Sequence, residues 1–173
     1  MTKRKSLVLG FISVFALIGI STSSFAFEKT GPISAGVLLG PTFGNSSTIF
    51  TFGAEGTYQW MPPWAVGASV TYYSKDFGSG FNSSLTTLTA EGLYFFDREF
   101  TGFRAGLQLG LGFTGTSIPR VSGSTDFIIG PTAGYDYQVG NQISVGAEST
   151  LYFTTQSNTG AFLQLLATAR YWF

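Results

Sequence analysis

Six charged side chains lie well within otherwise apolar segments of the sequence, away from the segment ends, and they are the residues best suited to chemistry. They are Glu55, Glu91, Arg104, Asp136, Glu148 and Arg170. Neighbouring carboxylates can transfer protons to a substrate, but carboxylates mixed with arginines also form ion-pair networks. The chain has no histidine and no cysteine, which removes imidazole bases, thiol nucleophiles and Cys/His metal sites. We therefore interpret the six as a structural charge network in the lumen of a barrel, in which the two arginines are the cationic partners of the four carboxylates. We expect no catalytic residue, metal or cofactor.

Residues 110–115, Gly-Leu-Gly-Phe-Thr-Gly, match the G-x-G-x-x-G spacing of a dinucleotide-binding turn. That motif needs a helix directly after it, because the pyrophosphate binds at the helix N-terminus. Pro119 and Gly123 follow here and do not belong to a helical pattern. We interpret the motif as glycines of a strand.

The charge composition excludes a nucleic-acid partner. Nine Lys and Arg residues balance nine Asp and Glu residues, and 10% of the chain is charged, against about 25% in an average soluble domain. Binding to phosphates needs a basic face, which this balance does not supply. The low fraction of charged residues also disfavours an average cytosolic enzyme.

The first 26 residues have the parts of a secretory signal peptide. A basic start at residues 3–5 precedes an uncharged run over residues 7–20, which is shorter than the roughly 20 apolar residues of a spanning helix. Small residues ending at Ala26 supply a cleavage site, so we place the cut after Ala26. Residues 27–173 then form the mature chain, which we interpret as one domain.

Beyond residue 27, apolar residues alternate with small or polar ones, and no stretch has the 3.6-residue period of a helix. Eight segments show this alternation, at residues 33–43, 49–60, 64–73, 85–96, 102–114, 126–138, 143–154 and 161–173. Strands of soluble proteins usually have five or six residues, whereas a tilted strand needs about 9 to 11 to cross a bilayer. The sequence therefore predicts an all-β fold, an eight-stranded antiparallel up-and-down transmembrane β-barrel.

The phase of the alternation indicates which face meets lipid. All six charged residues fall on the polar phase, which random phasing would give about once in 64 trials. Aromatic residues of the apolar phase gather near strand ends, as membrane interfaces require. The girdle predicted at the inner rim includes Trp60, Trp64, Tyr94, Phe96, Tyr135 and Tyr137. We therefore expect the charges in the lumen and the apolar phase in the membrane.

Glycines and loops complete this interpretation. Inward-phase glycines should make room for large inward side chains in a narrow, strongly curved barrel; those side chains are Tyr73, Phe95, Tyr152, Phe162 and Trp172. The connections after strands two, four and six are brief, which is typical of periplasmic turns. Two connections of about a dozen residues, 74–84 and 115–125, should be outer loops that present apolar side chains. These side chains are Phe77, Phe81, Ile118 and Val121.

The last segment carries the most specific mark of a family. Its apolar phase consists of Leu165, Ala167, Ala169, Tyr171 and Phe173. With the preceding alternation, it resembles the small bacterial outer-membrane β-barrel family of the eight-stranded OmpA/OmpX type, and the OmpW branch, with its apolar channel, stays an alternative. The resemblance implies an outer-membrane location, contact with outer-membrane lipid, and an assembly signal read by the outer-membrane insertion machinery. Hydrolases of this architecture resemble one another in requiring a histidine, so their activities are not implied.

Three functions are compatible with this sequence. The leading hypothesis is a non-enzymatic, monomeric outer-membrane protein with a side-chain-filled lumen and a structural or surface-interaction role. The second is a narrow porin for small or hydrophobic molecules, suggested by the inward glycines, although about eight strands leave an interior just filled by side chains. The third is a soluble periplasmic ligand-binding barrel. Conductance separates the first two hypotheses, and solubility without detergent identifies the third.

Overall fold

The computed structural model of the chain describes residues 32–44, 47–76, 82–97, 102–116, 123–155 and 160–173. It has eight strands: β1 (Ile33–Gly44), β2 (Ser47–Met61), β3 (Trp64–Asp76), β4 (Asn82–Phe95), β5 (Gly102–Thr116), β6 (Ser124–Gln138), β7 (Ile143–Thr154) and β8 (Ala161–Trp172). Within those ranges no helix has the length and hydropathy needed to cross a membrane. The signal peptide predicted at residues 1–26 lies outside the described residues.

The strands close into one barrel, in which each strand pairs with its neighbours in the chain and β8 returns to β1. Every pairing is antiparallel. The backbone N of Phe173 donates to the carbonyl of Ile33 at 2.9 Å, which extends the closing pair to the last residue. Closure gives each strand a partner on both sides, so no edge is left open. The predicted eight-stranded antiparallel barrel is confirmed.

Side chains alternate between the two surfaces of the barrel, as the pleat of a strand requires. In β2, Phe50 and Trp60 point outward and are both 65% exposed, whereas Thr51 and Glu55 are buried in the interior. Soluble proteins bury most of their large apolar side chains, which is the opposite arrangement. The exterior of this barrel therefore suits hydrocarbon, and its interior is largely polar.

The barrel has a turn end and a loop end. At the turn end lie the connections from β2 to β3, β4 to β5 and β6 to β7, and Pro62 and Pro63 alone separate β2 from β3. Gly102 begins β5 with a φ of +75°, in the left-handed region that favours glycine. The other connections lie at the loop end. The short turns predicted after strands two, four and six agree with this arrangement.

The two outer loops are shorter than the sequence predicted. Much of residues 74–84 is paired strand, with Ser74 opposite Ser84 and Lys75 opposite Ser83. In the same way β5 and β6 extend into residues 115–125. These strand ends are rich in polar residues on both faces, so the hydrophobic pattern that marks a strand with one apolar face does not detect them. The predicted loop residues Phe77, Phe81, Ile118 and Val121 lie outside the described residues.

Candidate functional site in the barrel interior

Apolar side chains close the interior at the turn end. Ala65, Leu93 and Phe95 form one buried cluster. Trp172 is also fully buried, and its indole Nε1 donates a hydrogen bond to Ser144 Oγ at 3.0 Å. Phe95 and Trp172 thus occupy the inward positions that the sequence pattern assigned to them.

Further along the interior lies a set of charged and amide side chains that we call the charge layer. It consists of Glu55, Glu91, Arg104, Gln108, Asp136, Glu148 and Arg170. None of these residues is more than 6% exposed. They project from β2, β4, β5, β6, β7 and β8, so the closed barrel brings together residues that are distant in sequence. All six charged residues singled out in the sequence lie here.

Two arginines hold three of the carboxylates. Arg104 Nε lies 2.9 Å from Asp136 Oδ2, and its Nη1 lies 2.8 Å from Glu148 Oε2. Arg170 Nε lies 2.6 Å from Glu55 Oε1, its Nη2 donates to Glu55 Oε2 at 2.9 Å, and its Nη1 contacts Asp136 Oδ1. Asp136 therefore bridges the two guanidinium groups, and the ion pairs form one connected network rather than separate pairs.

Glu91 joins the charge layer differently from the sequence expectation. We predicted that both arginines would pair with all four carboxylates, but among the described residues no arginine lies within ion-pair distance of Glu91. Gln108 Nε2 donates instead to Glu91 Oε2 at 3.1 Å and to Glu148 Oε1 at 2.9 Å. The amide oxygen of Gln108 accepts a hydrogen bond from the Tyr152 hydroxyl. An uncharged side chain thus links the fourth carboxylate to the arginine network.

Sequence reasoning missed Gln108 because it selected formal charges only. The available signal was positional, since Gln108 shares the inward phase of β5 with Arg104 and follows it by four residues. A buried amide needs partners for both its donor and its acceptor, and the carboxylates and Tyr152 supply them. An inward amide near inward carboxylates is therefore a useful criterion for such networks.

Glycines provide the space that the charge layer occupies. A Cβ on Gly67 would lie 2.5 Å from Glu91 Oε1, and one on Gly36 would lie 2.9 Å from Arg170 Cγ. A Cβ on Gly134 would lie 3.1 Å from Arg104 Nε. We predicted that inward glycines make room for large aromatic side chains. The structure shows that these three make room for the arginines and for Glu91.

A layer of hydroxyl groups follows towards the loop end. Its buried threonine and serine side chains pair across neighbouring strands: Thr42 with Thr51 at 2.6 Å, Ser69 with Thr89 at 2.7 Å, Thr71 with Thr87 at 2.6 Å, and Thr150 with Thr132 at 2.9 Å. Each hydroxyl can donate and accept, so these pairs satisfy one another without ordered charges.

A second apolar cluster lies beyond the hydroxyl layer. Ile128, Tyr152 and Phe162 are buried there, and Leu85 packs against them. The Tyr152 and Phe162 ring centroids are 4.9 Å apart. The described interior thus passes from an apolar cluster through charges and hydroxyls to a second apolar cluster. The carboxylates are enclosed and mostly engaged, which favours a structural role over proton transfer to a substrate.

Aromatic side chains surround the exterior at the turn end. Trp64 packs against Tyr94 with a centroid distance of 5.0 Å, and Tyr94 packs against Phe96 at 5.3 Å. Tyr135 packs against Phe103 at 5.0 Å. The remaining predicted girdle residues, Trp60 and Tyr137, are exposed on the same surface. Amphipathic rings in this position suit the boundary between hydrocarbon and water.

The predicted assembly-signal residues lie along the exterior of β8. Ala167, Ala169, Tyr171 and Phe173 are exposed, and Leu165 is partly exposed. The rings of Tyr171 and Phe173 pack with centroids 5.0 Å apart. Phe173 is 60% exposed whereas Trp172 is fully buried, so the last two residues contact opposite sides of the wall.

Comparison with solved structures finds barrels of the same architecture. Neisserial surface protein A superposes with a TM-score of 0.65 at 16% identity, covering 82% of this chain and 96% of that chain. This chain has the fold of the small outer-membrane barrels. The Yersinia pestis attachment invasion locus protein Ail has a TM-score of 0.57 at 14% identity, with 82% and 96% covered. The N-terminal barrel domain of Pseudomonas aeruginosa OprF has a TM-score of 0.55 at 14% identity, with 83% and 100% covered.

Sequence comparison gives no further assignment, since neither a protein-family sequence model nor a curated protein sequence matches the chain. At such low identity the structural similarity concerns the fold, and the fold supports many functions. The function of this barrel is therefore inferred from its interior and its exterior surface.

Proposed function

We propose that this protein is a non-enzymatic outer-membrane barrel with a structural or surface-interaction role and a lumen sealed by side chains. The observation that carries the proposal is the charge layer, in which Arg104 and Arg170 join carboxylates from three other strands across the interior. Eight strands leave an interior that side chains can fill. Apolar clusters on both sides of the charge layer add to this seal.

The exterior supports placement in the bacterial outer membrane with lipid as the surrounding partner. Its apolar side chains are exposed along the strands, and aromatic rings lie at the turn end. The fold similarity to three outer-membrane proteins agrees with this location. A closed barrel has no unpaired edge that a second copy must cover, which supports a monomer.

Membrane fractionation tests the location. We expect the full chain to stay in the detergent-extracted outer-membrane fraction and to migrate differently before and after boiling, because a closed hydrogen-bond ladder resists unravelling. Release into the soluble fraction by osmotic shock would overturn the membrane placement and favour the soluble periplasmic barrel.

Single-channel recording in planar bilayers tests the sealed lumen. The wild-type protein should give no resolved conductance steps, whereas Arg104→Ser combined with Arg170→Ser should open a water path through the charge layer. Leu107→Ala on the lipid-facing surface is the matched control and should stay closed. The heat-dependent mobility of each variant verifies that it is folded. Reproducible steps from the wild-type barrel would contradict the proposal and support the narrow-channel alternative.

Deletion of Phe173 tests recognition by the outer-membrane assembly machinery. Phe173 is exposed at the end of the closing strand, so we expect its deletion to lower outer-membrane levels more than Trp172→Ala, which removes an interior ring. Pulse-chase fractionation at normal expression measures insertion separately from final stability. Equal insertion of the Phe173 deletion and the wild type would argue against an assembly signal at this residue.

A further inference from the structure

A cavity of about 210 Å³ lies inside the loop end of the barrel. Its apolar wall includes Leu85, Ile128 and Phe162, which belong to the second apolar cluster. Residues that carry hydroxyl groups, Thr42, Tyr73, Ser83, Ser84 and Thr114, are also among its lining residues. We call this space the outer cup. It lies on the far side of the apolar cluster from the charge layer, so it is independent of the ion pairs that seal the lumen.

One acidic side chain of the outer cup has an oxygen that no hydrogen-bond donor reaches among the described residues. Asp126 is 5% exposed, and it lines the cavity from the third position of β6. The Ser124 hydroxyl donates to its Oδ2 at 3.3 Å, but Oδ1 receives no hydrogen bond in the part of the chain that the structure describes. Buried carboxylates normally have charged or hydrogen-bonding partners, because an unsatisfied charge is unfavourable away from water.

We propose that the outer cup binds a small ammonium compound with an apolar body. The ammonium group pairs with the Asp126 carboxylate, and the apolar body packs on Ile128, Leu85 and Phe162. The geometry combines the two features of a ligand site, an apolar concave surface and a polar group that fixes orientation. This function goes beyond the sealed structural barrel, because binding at the loop end needs no passage through the lumen.

The dimensions and charges of the cup restrict the ligand. Its volume is below the roughly 300 to 1,000 Å³ of sites for drug-sized molecules, so the compound has a single ring or a short chain. Lys75 on β3 also lines the cup and has contacts of its own. Its positive charge opposes a second cation, which favours a monocation held at Asp126 over a polyamine.

Gly112 keeps part of the cup open. A Cβ on Gly112 would lie 3.4 Å from Leu85 Cδ1 and 3.6 Å from Ile128 Cγ2, so alanine fits there. A longer side chain at this inward position would extend into the cavity beside the apolar wall. Gly112→Leu is therefore a variant that fills the cup without changing its charge.

The proposal is tested by titrating the full-length folded barrel in detergent micelles with phenethylammonium, using isothermal calorimetry and NMR chemical shifts. The uncharged 2-phenylethanol is the matched probe. We expect the ammonium probe to bind at least about tenfold more tightly than the alcohol, as loss of one hydrogen bond to a charged group implies. Shifts should localise to Ile128, Phe162 and their neighbours.

Three variants separate the outer cup from detergent or surface effects. Asp126→Asn should abolish the preference for the ammonium probe, whereas Asp97→Asn at the turn end is the matched control and should retain it. Gly112→Leu should weaken both probes. Unboiled mobility on gels verifies folding of each variant. Equal binding of the two probes to the wild type, no binding of either, or an unchanged preference in Asp126→Asn would overturn the proposal.

Discussion

The two halves of the barrel interior hold their acidic residues in different ways. Near the turn end, Asp136 lies between Arg104 and Arg170, and both of its oxygens face a guanidinium group. Near the loop end, Asp126 lines a cavity; within the described residues its Oδ2 accepts from the Ser124 hydroxyl and its Oδ1 receives no hydrogen bond. Both carboxylates are buried, so burial alone does not distinguish a structural acid from a binding acid.

The hydrogen-bond and ion-pair partners of a carboxylate distinguish a structural acid from a binding acid, and Glu91 is an intermediate case. Its Oε2 accepts from Gln108, while its Oε1 has no hydrogen-bond donor among the described residues and lies against Gly67. Glu91 belongs to the charge layer and does not line the outer cup. Removing the partner of a paired buried acid is strongly destabilising, whereas an unsatisfied acid beside a cavity is available to a ligand.

The largest difference between the two halves is expected for Arg170→Met. This change leaves Glu55 without its arginine and removes one of the two partners of Asp136, which typically costs about 3–5 kcal/mol of unfolding free energy, and less if water enters. Asp126→Asn at the loop end is the matched comparison and should change the unfolding free energy by under about 1 kcal/mol, since Asp126 has no ion pair with another described residue. Urea unfolding in lipid vesicles, followed by tryptophan fluorescence, measures both values. Equal losses would remove the distinction between the halves.

An arginine introduced on the outside of the barrel tests whether the apolar exterior faces hydrocarbon. Leu107 is 44% exposed on the lipid-facing surface and is adjacent in sequence to the buried Gln108. Leu107→Arg should cost roughly 2–4 kcal/mol near the bilayer midplane. Leu107→Ala controls for loss of the side chain. A cost for Leu107→Arg no larger than that of Leu107→Ala would mean that this surface does not face hydrocarbon.

A smaller effect is expected from the space that glycine leaves beside the charge layer. A Cβ on Gly67 would lie 2.5 Å from Glu91 Oε1 and 2.8 Å from the carbonyl oxygen of Gly56. Gly67→Ala should therefore destabilise the barrel by about 1–3 kcal/mol through overpacking. Gly92 is the matched control, because a Cβ there has no atom within 4 Å. Similar unfolding free energies for Gly67→Ala and Gly92→Ala would show that the charge layer accommodates an additional methyl group without overpacking.

The fold could be predicted from the sequence because its signal is local. Alternation with period two, long segments and charges on one phase are all properties of single strands, and closure follows from strand number and order. The strand ends near Lys75 and Thr116 were missed because polar residues occur on both faces there. Hydrophobic contrast between the faces is the only part of a strand that the pattern records.

Partner assignment in the interior could not be predicted in the same way. Arg170 and Glu55 meet although 115 positions separate them in the chain, and their contact depends on the register between β8, β1 and β2. Register and strand tilt decide which inward residues lie at the same height along the barrel axis. The alternation of apolar and polar residues predicts neither of them. For this reason the sequence indicated six buried charges but did not separate Glu91 from the paired acids or identify Asp126.

A double-mutant cycle on Arg104 and Asp136 tests most directly whether the charge layer is one coupled structure. Unfolding free energies are measured in vesicles for Arg104→Met, Asp136→Asn and the double variant. The same cycle with Arg104→Met and Asp126→Asn serves as the uncoupled reference. The ion pair at 2.9 Å predicts a coupling of about 0.5–3 kcal/mol in the first cycle and near zero in the second. Additive free energies for Arg104 and Asp136 would contradict the charge layer and favour a hydrated lumen lined by independent charges.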